Sequence, residues 1–182
     1  MAFFDRLGRD IRISKARRFI RRNDSILDIG CADGALFHKL KGVIKPSYGL
    51  DPVLTEKVTT PDYTLAPGSF PEAVPEGMRF DVITMLAVLE HLPEEAQQTL
   101  ADLSYKMLNE KGRVIITVPS PKVDHILEVM MKLHLMSDES LDEHHGFDYR
   151  ETENLFDKSR FSMIHKSKFE LGLNNLYVFE RR

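Results

Sequence analysis

The run Ser25-Ile26-Leu27-Asp28-Ile29-Gly30-Cys31-Ala32-Asp33-Gly34-Ala35-Leu36 constrains the fold more than any other stretch of the chain. An apolar segment carrying one acid leads into a turn of small residues, which opens onto the start of a helix. This is the sequence form of a parallel strand buried on both faces and feeding a strand-turn-helix junction. Gly30, Ala32 and Gly34 keep side-chain bulk out of the turn. Such a turn can cradle a nucleotide-like ligand, or it can simply let a helix pack closely onto a strand. The dinucleotide pattern G-x-G-x-x-G is met only loosely, by Gly30, Ala32 and Ala35. Cys31 is the single cysteine, so no intrachain disulfide and no cysteine cluster can form, and it reads as a small packed residue of the turn.

Further strands follow. Tyr48-Gly49-Leu50-Asp51-Pro52 reads as the end of a second one, placing Asp51 about 20 residues beyond the turn, where a carboxylate can accept hydrogen bonds from ribose hydroxyls. Asp before Pro is equally ordinary turn chemistry. Tyr63 to Pro71 fits a third strand and its exit loop, and Arg79 to Leu86 a fourth, buried one. Pro93, Glu94 and Glu95 read as plain helix initiation. That leaves Glu90-His91 unexplained at the carboxyl end of a strand, where open parallel sheets bind ligands. His91 is the candidate for a group near the reacting atoms, with a packing or capping role as its alternative. A helix is expected from Glu94 to about Asn109, closed by Gly112 in a left-handed conformation, and then a fifth strand over Arg113 to Pro119. Phe161 to Glu170 and Asn175 to Glu180 read as two final strands around the turn Leu171-Gly172-Leu173-Asn174. The alternation from Ile26 onward predicts an α/β sandwich.

Two motifs carry a family resemblance. The first is acidic-x-G-x-G-x-G from Asp28 to Gly34, with Ala32 in place of the middle glycine; the second is F-D-V-I-T-x-L-x-V-L-E-H-L-P from Phe80 to Pro93. Together they resemble class I S-adenosylmethionine-dependent methyltransferases, of the small single-domain type related to the ubiquinone and menaquinone methylating enzymes. The resemblance implies a Rossmann-like three-layer sandwich, with a mostly parallel seven-stranded sheet and an antiparallel C-terminal strand. It also implies S-adenosylmethionine as methyl donor and S-adenosylhomocysteine as product. The donor site it selects comprises Asp28, Gly30, Cys31, Ala32, Gly34, Asp51, Pro52, Ser69, Phe70, Leu86 and Ala87. Asp28 would organise the turn and the donor's amino end, Asp51 would bind the ribose, and Leu86 and Ala87 would contribute mainly backbone. Ser69 stands where the family usually has an Asp for the adenine amino group; its hydroxyl, or the Phe70 ring, would serve there.

At 182 residues and 42% hydrophobic, the chain is read as one domain, 1–182. No apolar segment approaches the ~20 residues of a membrane span and no signal peptide is visible, so a cytoplasmic protein is expected. Residues 1–22 carry eight basic side chains against Asp5 and Asp10, interleaved with apolar ones. They read as an amphipathic lid of one or two helices, whose basic side is either solvated or suited to an anionic surface. The net charge of -3 argues against a large nucleic-acid footprint. The stretch 122–157 reads as a substrate-side insertion containing a Met-rich apolar segment and then Asp142-Glu143-His144-His145-Gly146-Phe147-Asp148-Tyr149. Adjacent His residues seldom face one ion, so no metal is expected. The resemblance places His144, His145 or Tyr149 on the acceptor pocket, or has them cap a polar helix from Arg150; with His91, the catalytic candidates are His145 and Tyr149. The expected function is methyl transfer to O or N of a small-molecule acceptor. The alternatives are an NAD(P)-binding oxidoreductase and a non-catalytic methyltransferase-like binding module.

Overall fold

The computed structural model describes residues 3–120 and 149–182. Eight strands form one sheet: β1 (Ile26–Ile29), β2 (Ser47–Asp51), β3 (Val58–Thr59), β4 (Tyr63–Pro67), β5 (Phe80–Leu86), β6 (Leu108–Pro119), β7 (Phe161–Phe169) and β8 (Asn174–Arg181). Their order is β3-β4-β2-β1-β5-β6-β8-β7. The chain builds outward from β1 to β2 and β4, then crosses back to lay β5 on the other side of β1, with Ile29 beside both Leu50 and Met85. That reversal creates a crevice at the carboxyl ends of β1 and β5, the place where doubly wound sheets bind ligands. Three helices complete the described structure: α1 (Phe3–Arg17), α2 (Ala35–Leu40) and α3 (Glu94–Met107).

Sequence periodicity explains the layers. All four residues of β1 are buried, as a central parallel strand requires. Alternate residues of the sheet serve opposite faces. Ile26, Val82, Ile115 and Val178 pack with Ile13 and Ala16 of α1 and with Leu36, Phe37 and Leu40 of α2. Leu27, Ile83, Ile116, Tyr177 and Phe179 pack with Leu100 of α3 and with Phe156. Each such fully buried side chain contributes ~1.5–3 kcal/mol. Phe156 stacks on Phe179 at 4.2 Å between ring centres and meets Phe161 edge-on at 5.1 Å, which seals the β7–β8 end of the sheet.

The expected sandwich and its antiparallel C-terminal strand are present: β8 runs against both β6 and β7. The strand count is eight, not seven, because Val58–Thr59 folds back antiparallel on β4 as a two-residue edge. α3 stops at Met107 and β6 starts at once at Leu108, five residues ahead of the expected strand. The left-handed residue in the intervening turn is Lys111, at φ 58, and not Gly112. Gly112 is needed for space instead, since a Cβ there would lie 2.8 Å from the Asn109 carbonyl oxygen. The polar helix expected from Arg150 is a short 3-10 turn, Tyr149–Glu153. Among the described residues no helix is long and apolar enough to cross a membrane.

The link from α1 to β1 is fixed by a buried ion pair. Arg113 of β6 is 4% exposed and donates from Nη2 to Asp24 Oδ2 at 3.2 Å and from Nη1 to the Phe19 carbonyl. Asp24 Oδ2 also accepts the Arg21 amide at 2.7 Å. Burial pulls the Arg113 pKa down, and the Asp24 carboxylate opposes that shift.

Candidate active site

The turn after β1 is closed by its own hydrogen bonds. The Gly30 and Cys31 amides donate to the Leu50 carbonyl at 2.9 and 3.2 Å, the Gly34 amide to the Cys31 carbonyl at 2.8 Å, and the Ala32 amide to Asp51 Oδ2 at 2.8 Å. Asp33 Oδ1 accepts the Ala35 amide at 3.2 Å, so a carboxylate occupies the amino end of α2. The turn is left-handed at Gly30 (φ 76), Ala32 (φ 45) and Gly34 (φ 73). Its glycines are required by packing: a Cβ on Gly30 would lie 2.4 Å from Val88 Cγ2, and one on Gly34 would lie 3.0 Å from Leu65 Cδ1.

Beside this turn lies a cleft of about 570 Å³. It brings together Gly30, Pro52, Ser69, Phe70 and His91 from four separate stretches of sequence. Phe70 is 4% exposed and belongs to the core, so it forms a fixed wall, whereas Ser69 and His91 are exposed. Asp51 sits buried at the end of β2, where Oδ2 takes the Ala32 amide and Oδ1 the Val53 amide at 3.0 Å. Each carboxylate oxygen offers a second lone-pair site, so acceptor capacity for two hydroxyls remains. The turn role and the ligand role of Asp51 are therefore compatible.

Asp51 lies between the lining residues Leu50 and Pro52 without itself lining the cleft, and other selected residues also stand off its wall. Asp28 is buried beneath the turn, where Oδ1 accepts the Thr84 hydroxyl at 2.6 Å. Burial pushes its carboxyl up to about 7, with Thr84 working against that and Asp51 adding to it. Cys31 turns inward, with its Sγ 2.9 Å from where a Gly49 Cβ would be, and burial together with Asp28 and Asp51 pushes the thiol up to about 12. It is a packed, protonated thiol. Ala32 and Gly34 belong to the turn, Leu86 packs on the α1–α2 face of the sheet, and Ala87, at φ 60, donates its amide to the Thr117 carbonyl at 2.9 Å. Tyr149 opens the short 3-10 turn, and His144 and His145 lie outside the described residues, as does most of the 122–157 insertion.

Residues not selected from the sequence also line the cleft: Ile29, Leu50, Val88, Leu92, Glu95 and Thr99 among them. Glu95 does more than start a helix. With Thr99 one turn further, it forms the α3 wall, and the i, i+4 spacing of two polar residues after Pro93 was the available signal.

The switch-point cleft, the acid at the end of β2 and the sealed turn define a nucleoside-binding enzyme of the Rossmann-like class. The chain belongs to the methyltransferase-domain family, whose model matches residues 5–166. It is an S-adenosylmethionine-dependent methyltransferase, so the oxidoreductase alternative gives way. Solved structures repeat the fold at low identity. Magnesium protoporphyrin IX methyltransferase from Synechocystis PCC 6803, with bound S-adenosylhomocysteine, is 16% identical with a TM-score of 0.69, covering 100% of this chain and 89% of its own. The N-methyltransferase NodS from Bradyrhizobium japonicum WM9, in complex with S-adenosylhomocysteine, is 16% identical with a TM-score of 0.64, over 97% of this chain and 86% of its own. A putative methyltransferase in complex with the Haloferax volcanii Trm112 activator is 12% identical with a TM-score of 0.68, over 100% and 98%. Among curated proteins, none matches the chain in sequence.

Gly30→Ala is expected to weaken S-adenosylhomocysteine binding at least ~tenfold, measured by titration calorimetry, because the new methyl must displace Val88 and strain a positive φ. Adding Val88→Ala should restore the part due to the clash and leave the part due to φ. An affinity unchanged in the single variant would mean that the turn does not face the ligand.

Proposed function

We propose that the chain transfers a methyl group from S-adenosylmethionine to O or N of a small-molecule acceptor, acting as one domain with residues 1–22 as a lid and 122–157 on the acceptor side. The observation that carries this reading is the chemistry of the turn. A pyrophosphate site needs unpaired amides at a helix amino end, yet here the amides of Gly30, Cys31, Ala32, Gly34 and Ala35 are all engaged, and the Asp33 carboxylate, paired with Arg9, occupies that point. Among the described residues, two carboxylates, Glu72 and Glu95, line the cleft, and neither Lys nor Arg does. A turn with those amides engaged offers a phosphate little, and the cleft carboxylates suit an uncharged nucleoside joined to a cationic sulfur.

The donor, when bound, supplies an already activated sulfonium methyl. The protein's part is to orient the acceptor, exclude water and, for a hydroxyl acceptor, take up a proton. Asp51 would hold the ribose, Phe70 and Leu50 would flank the adenine, and Asp28 would fix the turn from below. His91, exposed at the rim, is the candidate proton acceptor within the described residues; His145 and Tyr149 remain candidates from the insertion.

Calorimetric titration with S-adenosylmethionine, S-adenosylhomocysteine, NAD and NADP tests the reading. The two sulfur ligands are expected to bind, and Asp51→Ala should weaken them by a factor of ~100, as two hydrogen bonds to a charged group would. Binding of NAD in their place, or of none of the four, would overturn it. Donor binding without turnover across O and N acceptors would instead favour a non-catalytic module.

A further inference from the structure

The two halves of α1 are held differently. Its carboxy-terminal half is anchored by burial of Ile13 and Ala16. Further toward the amino end, charged contacts reach the carboxyl edge of the sheet and α2. Arg9 Nη1 donates to both carboxylate oxygens of Asp33, at 2.9 Å each, in the turn after β1. Near it along the helix, the Arg12 guanidinium acts electrostatically on Glu90, in the turn after β5, and favours its charged form. Asp10 meets Lys39 of α2 at 3.0 Å.

Gly8 strengthens the case that Arg12 has a built place. Glycine inside a helix is unfavourable, but a Cβ at this position would lie 3.3 Å from Arg12 Nη1 and 3.8 Å from Glu170 Oε1. The missing side chain leaves the slot in which the guanidinium folds back along the helix. Glu90 is 3% exposed, and its Oε2 has no hydrogen-bond partner among the described residues. A carboxylate in that state is costly, and a neutral acid much less so.

We propose that the amino-terminal part of α1 is a strap across the turns that follow β1 and β5, closed while Glu90 is buried and opened when Glu90 is wetted. Glu90 is then a positioning residue for access to the site. What the strap covers rests on the methyltransferase reading above; that it opens does not. Burial pushes the Glu90 carboxyl up to about 7 from 4.5, with Arg12 pulling partly back. Closing therefore takes up a proton between those values, and the strap loosens as pH rises toward about 7. The charged group of α1 acting on Glu90 is Arg12, Glu170 of the β7–β8 turn borders the same Gly8 slot, His91 follows on the same turn, and β6, which packs against that turn, is uncharged from Val114 to Pro119.

Hydrogen exchange of the α1 amides in the ligand-free full chain, corrected for the intrinsic pH dependence of exchange, tests this. The wild-type opening constant is expected to rise at least ~tenfold from about pH 5.5 to about pH 8. Glu90→Gln should remove that slope, and Asp33→Asn should raise opening at every pH while keeping it. Gly8→Leu, which leaves Glu90 and Arg12 in the chain, should also raise opening. A flat wild-type profile, or a Glu90→Gln variant with the wild-type slope, overturns the proposal. If Glu90→Gln does not fold, the wild-type slope together with Asp33→Asn decides. S-adenosylhomocysteine titrations on the same samples keep the two readings apart: no binding would overturn the donor site, while the exchange profile would still decide the strap.

Discussion

Asp28→Asn is expected to make the protein more stable at pH 8, by ~2–4 kcal/mol, and to leave it nearly unchanged near pH 4. The Asp28 carboxyl is held at about 7 in the fold against 3.8 in an open chain. Below about 3.8 it is neutral in both states and costs nothing. As pH rises from there to about 7, the unfolded chain releases its proton while the folded one keeps it, so stability falls across that window and levels off above it. Asparagine does not titrate, and its carbonyl oxygen can still accept the Thr84 hydroxyl that Asp28 accepts at 2.6 Å. Thermal melts would show a gain of ~5–10 °C at pH 8 that shrinks steadily on acidification. An equal gain at both ends of the range would mean that the carboxyl is not the destabilising group. The same variant should bind S-adenosylhomocysteine more weakly, since a negative charge beneath the turn is what the donor's amino end would meet. A residue that lowers stability and raises function is the usual form of that trade-off.

Asp24→Ala is expected to act in the opposite direction, lowering stability by ~3–5 kcal/mol, or about 10 °C in Tm. It leaves the Arg113 guanidinium, at 4% side-chain exposure, without its hydrogen-bonded counter-charge. Glu180 and Asp81 contribute to the field at Arg113 and soften the loss without making the bond. The Phe19 carbonyl accepts from the same guanidinium, so the joint between α1 and β1 should loosen with it. Replacing both partners, as Asp24→Ala with Arg113→Met, is expected to recover most of the stability, because no buried charge is then left unpaired. A double variant no more stable than Asp24→Ala alone would show that the pair is not where the energy lies.

The sheet was legible because its strands are buried on both faces, so Ile26–Ile29, Phe80–Leu86 and Arg113–Pro119 carry continuous apolar or β-branched runs. The two-residue strand Val58–Thr59 was not legible, since an edge that short has no periodicity to read. Nor was the start of β6 at Leu108, where Asn109-Glu110-Lys111 look helical and polar but lie in a bulge between the pairs Phe80–Leu108 and Val82–Arg113. In the site, small residues at Gly30, Ala32 and Gly34 pointed to the turn, and the spacing to Asp51 pointed to its partner. Sequence could not reveal that Val88 fills the space over Gly30 or that Leu65 closes on Gly34. Those depend on how separate loops meet in three dimensions. Glu90 was visible as an unexplained acid; its electrostatic coupling to Arg12 of α1 was not, because Arg12 lies 78 positions earlier in the chain.

The Ala32 amide gives the protein a spectroscopic sentinel. Its proton sits on Asp51 Oδ2, so that one N–H reports on the oxygen a ribose would share. A bound hydroxyl drawing density from that oxygen would lengthen the Ala32 bond and shift its amide resonance upfield, whichever acceptor is present. One isotope-labelled position can therefore count occupied sites in a mixture, without a coupled assay and before any acceptor has been identified.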